Sequence, residues 1–197
     1  MTKIVEFYFD VGSPTAYLAY NRLKQLQKQY NCVIDYRPVL LGGLFKASGN
    51  SSPVMVPAKG RYMMMDDLPR FAKLYDVPLN NNPHFPINTL NLMRGAVAAL
   101  HGDYFDTYIS AVFNAIWVDS KNMGDMETVI EVLSTAGLNA PSILESTQDA
   151  DIKAKLITNT EDAVKRGLFG APTMFVNGEM FFGQDRLQFV EMALQTK

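Results

Sequence analysis

Asn177-Gly178, set between Thr173-Met174-Phe175-Val176 and Glu179-Met180-Phe181-Phe182, dictates a tight β-hairpin near the end of the chain. A two-residue turn needs positive φ at both central positions, which Asn followed by Gly adopts most readily. Pro172 fits the opening of the first hairpin strand, where a missing N–H costs least. The other end of the chain carries a second unit. In Lys3–Asp10, Ile4, Glu6, Tyr8 and Asp10 alternate with Val5, Phe7 and Phe9, with apolar residues on both faces, as a central strand requires. A short loop, Val11-Gly12-Ser13-Pro14, leads to a helical run from Thr15 to Tyr30 with one buried stripe. A second strand follows over Val33–Val39, ending at Pro38. The crossover is long enough for a parallel, right-handed β-α-β unit.

Between these ends the periodicity is helical. Leu40–Pro57, rich in Gly, Asn, Ser and Pro, reads as loop. Helices are expected over Lys59–Tyr75, broken at Pro69, over Asn88–Leu100, and over Asp103–Trp117, which is apolar on nearly every side. Asp125–Leu133 begins on a capping aspartate, Pro141–Thr147 is a short turn of helix, and Asp149–Arg166 stops at Gly167, a C-terminal glycine cap. A last helix is expected over Arg186–Leu194. The resulting class is α/β, with the order β-α-β … β-β-α interrupted by an all-helical insertion. Residues 1–45 and 168–197 form the sheet domain, and residues 46–167 form a loop plus helical subdomain.

Composition narrows the chemistry. With 48% hydrophobic and 19% charged residues in 197, the chain can bury a core. Its net charge of −2, without a basic cluster, gives a nucleic acid no electrostatic footing. The run Tyr104–Trp117 is too short to cross a bilayer and contains Asp106, and Met1–Glu6 enters a strand without a secretion-type apolar stretch, so a cytoplasmic protein with no membrane partner is expected. Cys32 is the single cysteine and sits in the apolar run Cys32-Val33-Ile34, which excludes an internal disulfide and suits a buried bystander. His84 and His101 lie far apart without ligand spacing, so no metal site is expected. Met63-Met64-Met65 suits core packing.

Five short motifs now carry a resemblance. Phe9-Asp10 with Ser13-Pro14, Leu44–Asn50 (LFKASGN), Pro57-Ala58-Lys59-Gly60, Phe169-Gly170-Ala171-Pro172-Thr173 and Gly183-Gln184-Asp185-Arg186-Leu187 resemble, in the same order, the 2-hydroxychromene-2-carboxylate isomerases and kappa-class glutathione transferases. That resemblance implies a thioredoxin-like fold of the disulfide-oxidase type and glutathione as cofactor. Ser13 stands in the slot of the first redox cysteine of a thioredoxin-type protein; a hydroxyl cannot exchange disulfides, but it can hydrogen-bond the glutathione sulfur. Its other reading is a plain N-cap of the first helix, and both roles can coexist. By the same resemblance, Ala171-Pro172 matches a cis-proline step whose backbone pairs with the cysteinyl unit of glutathione. A trans proline at a strand edge is the alternative. Asp185 matches the residue that takes the γ-glutamyl ammonium, and its alternative is a helix cap. Gln184 flanks it where many members of the family carry Ser or Asn. Asn50 and Lys59 match residues that reach glutathione from the loop after the second strand; Lys59 also reads as a surface lysine.

Phe113-Asn114-Ala115-Ile116-Trp117 is similar to the isomerase branch more than the transferase branch, which marks Trp117 either for the substrate pocket or for a packed core helix. The resemblance therefore implies an enzyme of aromatic hydrocarbon catabolism. It would act as a glutathione-dependent isomerase of a small aromatic substrate, converting a cyclic hemiketal to trans-o-hydroxybenzylidenepyruvate through a transient thiol addition. A kappa-class transferase is the first alternative and a non-catalytic thioredoxin-like peptide-binding module the second. A homodimer is implied by the family alone.

Overall fold

The computed structural model describes residues 3–196. Its sheet has four strands in the order β2-β1-β3-β4: β1 Ile4–Phe9, β2 Val33–Pro38, β3 Thr173–Val176 and β4 Glu179–Phe182. β1 runs parallel to β2, Val5 opposite Ile34 and Phe9 opposite Pro38, and antiparallel to β3, Tyr8 opposite Thr173. Both pairings bury β1, and Val5, Phe7 and Phe9 are fully enclosed. Helix α1, Pro14–Tyr30, makes the crossover and ends at Asn31 in the left-handed region. The hairpin turn forms as its residues demand, with Asn177 at φ 52° and Gly178 at φ 83°.

One face of the sheet packs on α1 and on α6, Phe105–Trp117. Phe7 stacks on Phe9 with ring centroids 5.2 Å apart, and Phe113 of α6 lies 6.1 Å from Phe9 and 5.1 Å from Tyr20. α6 is accordingly buried along most of its length, as its apolar surround predicts. The opposite sheet face is covered by α9, Ala150–Lys165: Ala163 and Leu168 pack with Tyr8, Val39, Leu44 and Phe175. A helix assigned by sequence to the insertion thus forms one of the two layers over the sheet. Asp125 and Asp149 cap α7, Met126–Thr135, and α9 through backbone N–H groups, and Gly167 at φ 88° ends the latter.

Two expectations need correction. Leu40–Pro57 is not all loop, since α2 spans Leu41–Ser48 and a turn of 3₁₀ helix covers Pro53–Met55. Gly42-Gly43 argues against a helix locally, but Leu44 is fully buried and the Leu41 N–H is taken by Asp10 Oδ2 at 2.8 Å, so tertiary contacts override propensity. Nor does Pro69 break the following helix. α3, Pro57–Tyr62, passes through a π-helical turn over Met63–Asp67 into α4, Leu68–Tyr75, and the proline falls in the first turn of α4, where its missing N–H is tolerated. α5, Leu90–His101, α8, Ala140–Ser146, and α10, Leu187–Gln195, lie within a few residues of expectation.

Cys32 is 5% exposed, and burial pushes its thiol above the ordinary range, so it stays protonated at neutral pH. Replacing Cys32 with Ala should leave turnover at the wild-type level and cost about 1 kcal/mol in a denaturant titration. Loss of turnover in the folded variant would remove the case for a nucleophile supplied from outside the chain.

Candidate active site

β1 ends at Phe9, and the chain must turn over the sheet edge into α1. Asp10 makes that turn: its carboxylate accepts from Gly12 N–H at 2.9 Å and from Leu41 N–H at 2.8 Å, tying the loop to the start of α2. Asp10 is 1% exposed. Burial pushes its carboxyl above the ordinary range, while hydrogen bonds from Leu41, Gly12 and Thr89 act in the opposite direction. The Thr89 methyl also crowds Gly12, where an added Cβ would lie 2.8 Å from it. Sequence reading passed over Asp10 except as part of a motif. The available clue was an aspartate two residues before a glycine at a strand end, a pattern that closes its own turn.

Ser13 is the N-cap of α1 and is almost fully buried. Its Oγ accepts from Ala16 N–H at 3.1 Å, lies 2.7 Å from Thr15 Oγ1, and donates to the Ala171 carbonyl at 3.1 Å. Capping and proximity to the proline loop therefore coexist in one hydroxyl. Pro14 has no N–H, and the Thr15 amide has no partner among the described residues. One donor at the positive end of a 17-residue helix is left for an anion beside Ser13. Thr15, with this amide and its hydroxyl, is a second contributor, for which the sequence alone offers only a capping role beside Ser13.

The Ala171–Pro172 bond is cis, as the resemblance implied; Phe85–Pro86 is cis as well. The Pro172 carbonyl accepts from Gly183 N–H at 3.0 Å, which brings Gln184 and Asp185 beside the proline loop. Gly183 is required there: its φ is 94°, and a Cβ would stand 2.5 Å from the Asp185 carboxylate. Tyr75 donates to the Gln184 carbonyl at 2.6 Å, and burial pushes its phenol up to about 12, so it remains a donor at neutral pH. The Gln184 side chain is enclosed, while Asp185 is half-buried and pairs with Arg186. Asn50 joins the same loop by donating to the Phe169 carbonyl at 2.9 Å. Lys59 stands exposed in α3 and its side chain makes no ion pair or hydrogen bond among the described residues.

Trp117 is placed differently from a pocket residue. It is fully enclosed against Phe85, at 5.5 Å between ring centroids, and its indole N–H donates to the Val11 carbonyl at 2.8 Å. It props the Ser13 loop from beneath and offers no surface to a substrate. Trp117→Phe should leave that carbonyl unpaired, with a loss of about 1–3 kcal/mol, measured by thermal unfolding.

A helix N-terminus facing a cis-proline loop across a β-α-β … β-β-α frame defines a thioredoxin-fold protein. The family model of the DSBA-like thioredoxin domain matches residues 4–195. The chain is 34% identical to the 2-hydroxychromene-2-carboxylate isomerase of Sphingobium xenophagum, over 98% of its length and 99% of that protein. It is 30% identical to glutathione S-transferase kappa 1 of Rattus norvegicus, over 99% of its length and 92% of that protein. A solved 2-hydroxychromene-2-carboxylate isomerase superposes with a TM-score of 0.87 at 31% identity, covering 98% of this chain and 94% of the other. The chain belongs to the DSBA-like thioredoxin-domain family, in the group of the 2-hydroxychromene-2-carboxylate isomerases and kappa-class glutathione transferases, and is an enzyme of that group. No helix among the described residues is long and apolar enough to cross a membrane.

Proposed function

We propose that the protein is a glutathione-dependent isomerase of the 2-hydroxychromene-2-carboxylate type. The observation that carries the reading is Ser13 Oγ, held at the N-terminus of α1 and 3.1 Å from the Ala171 carbonyl, in a chain whose single cysteine is elsewhere. The residues fit glutathione. The Ser13 hydroxyl can turn its proton from the Ala171 carbonyl to a sulfur, and the Thr15 amide with the α1 dipole favours that sulfur as thiolate. Ala171 lies two residues before the first ladder-paired residue of β3, so its N–H, and its carbonyl once the Ser13 hydroxyl turns away, can pair with a peptide laid along the loop. Asp185 offers a carboxylate to an ammonium, and its exposed pair with Arg186 is weak enough to exchange. Lys59 and Asn50 offer a cation and an amide to carboxylates, and Gln184 backs Asp185.

Bound glutathione would supply a nucleophilic thiol for reversible addition to a conjugated enone, the chemistry that would let a double bond turn as a single bond. The chain's own residues hold the sulfur, favour its charge and orient the peptide; Asp10 and Trp117 hold the loop that does so.

A kappa-class transferase is the second reading, favoured by the 30% identity to the rat enzyme. The two differ in the fate of the thiol. Free thiol should stay constant while a chromene carboxylate is converted, and no conversion should occur without glutathione. Stoichiometric thiol loss on a chlorinated aromatic acceptor, with no chromene turnover, would move the protein to the transferases. Absence of glutathione binding by calorimetry would leave only a peptide-binding module.

A further inference from the structure

Away from Ser13, a cavity of about 450 Å³ opens between α2, α5 and α9. That volume lies within the range of small-molecule sites, about 300–1,000 Å³. Its walls are aliphatic: Leu40 and Ala47 from the α2 segment, Leu90 from α5, and Leu156, Ile157 and Val164 from α9. Ile157 is 57% exposed on one wall, a large apolar side chain left open to solvent. The polar hydroxyl nearest the floor is already satisfied, since Thr160 Oγ1 accepts from Leu40 N–H at 3.0 Å and donates to the Leu156 carbonyl at 2.8 Å. A ligand body there needs no hydrogen-bonding group.

The rim is different. Arg94 from α5 and Lys153 from α9 are both half-buried at its edge, and neither makes an ion pair among the described residues. Lys165 also lines the rim but is held by Asp162 at 2.9 Å. Glu161 is the one carboxylate in the lining, so the rim carries a cationic excess. An unpaired guanidinium at the edge of an aliphatic recess matches a carboxylate head, which it can hold through two parallel hydrogen bonds. Gly43, in the first turn of α2, forms part of the wall, and the first amides of that helix are already taken, Leu40 N–H by Thr160 and Leu41 N–H by Asp10, which leaves the carboxylate to the rim cations.

We infer that the recess between α2, α5 and α9 is a binding site for a small monocarboxylate with an aromatic or aliphatic body, the body against Leu40, Leu90 and Leu156 and the carboxylate at Arg94 and Lys153. The site shares no residue with Ser13, Thr15, Ala171 or Asn50. It meets their support only through chain neighbours: Leu40 precedes Leu41, which donates to Asp10, and Leu90 follows Thr89, which packs on Gly12. The inference therefore stands independently of the glutathione reading.

Calorimetric titration with 1-naphthoate, beside the neutral 1-naphthalenemethanol, tests it. Naphthoate should bind the wild-type protein at least about tenfold more tightly than the alcohol, the order expected of one charge-assisted contact. Arg94→Met should abolish that difference while leaving the alcohol unchanged. Ala47→Trp, which fills the recess, should remove binding of both; Ile157→Asp on the opposite wall serves if the tryptophan variant fails to fold. Glutathione titrations of the same variants should match wild type. Naphthoate binding that survives Arg94→Met and Ala47→Trp overturns the inference, and its loss in Ser13→Trp alone would assign it to the cleft. Self-association abolished by Ile157→Asp, with no naphthoate binding in either state, would give this face to a second copy of the chain and overturn it equally.

Discussion

Ser13→Ala should lower glutathione-dependent turnover by about a hundredfold, because it removes one hydrogen-bond donor aimed at the charge that catalysis must stabilise. The same substitution strips α1 of its cap, since Ser13 Oγ accepts from Ala16 N–H at 3.1 Å. That loss is worth about 1 kcal/mol, a fall of roughly 2–4 °C in Tm for a chain of this size. The two effects separate cleanly: a folded protein with slightly lower Tm and greatly reduced kcat is the expected result. Asn at this position can still cap the helix, so Ser13→Asn should recover most of the Tm without recovering kcat. Wild-type turnover in folded Ser13→Ala would show that the hydroxyl caps α1 and does nothing more.

Asp10→Ala should be the most destabilising change at the site. It removes the acceptor of two part-buried backbone donors, Gly12 N–H and Leu41 N–H, at about 1 kcal/mol each. Turnover should fall with stability, because the first bond shapes the Ser13 loop and the second anchors α2. Asp10→Asn retains one acceptor and should lie between. A pH titration of stability adds a signature of charge. Burial raises the Asp10 carboxyl in the folded chain, so the folded state holds a proton that the unfolded state has already released. Wild-type stability should therefore decline as pH rises from the ordinary carboxylate range through the raised folded value, and Asp10→Asn should lack that slope. Equal slopes in the two proteins would mean that Asp10 is ionised as readily folded as unfolded.

The legible parts of this chain are those governed by contacts within a few residues. Alternation in Ile4–Phe9, the Asn177-Gly178 turn, the cap at Asp125 and the stop at Gly167 each follow from local backbone chemistry, and the structure forms them within one or two residues of expectation. The α2 segment departs from its local signal for the same reason. Its glycines speak locally for loop, whereas its helix depends on burying Leu44 and on the bond from Leu41 to Asp10, about thirty residues away along the chain.

By itself the sequence determined the β-α-β and β-β-α ends, the helical middle and the absence of a redox cysteine pair. Only the tertiary structure decided which side chains share the site. Ser13 meets Ala171 across 158 residues of chain, Trp117 reaches back 106 residues to hold Val11, and Asn50 joins Phe169 across 119. No local pattern encodes such pairings, because each depends on how α6, α9 and the hairpin stack on the two faces of one sheet. The same packing moved Trp117 from a candidate pocket wall into the core and turned Asp10 from a strand-end residue into the support of the loop. Burial and hydrogen-bond satisfaction are properties of the assembled layers, and they become visible only once the layers are in place.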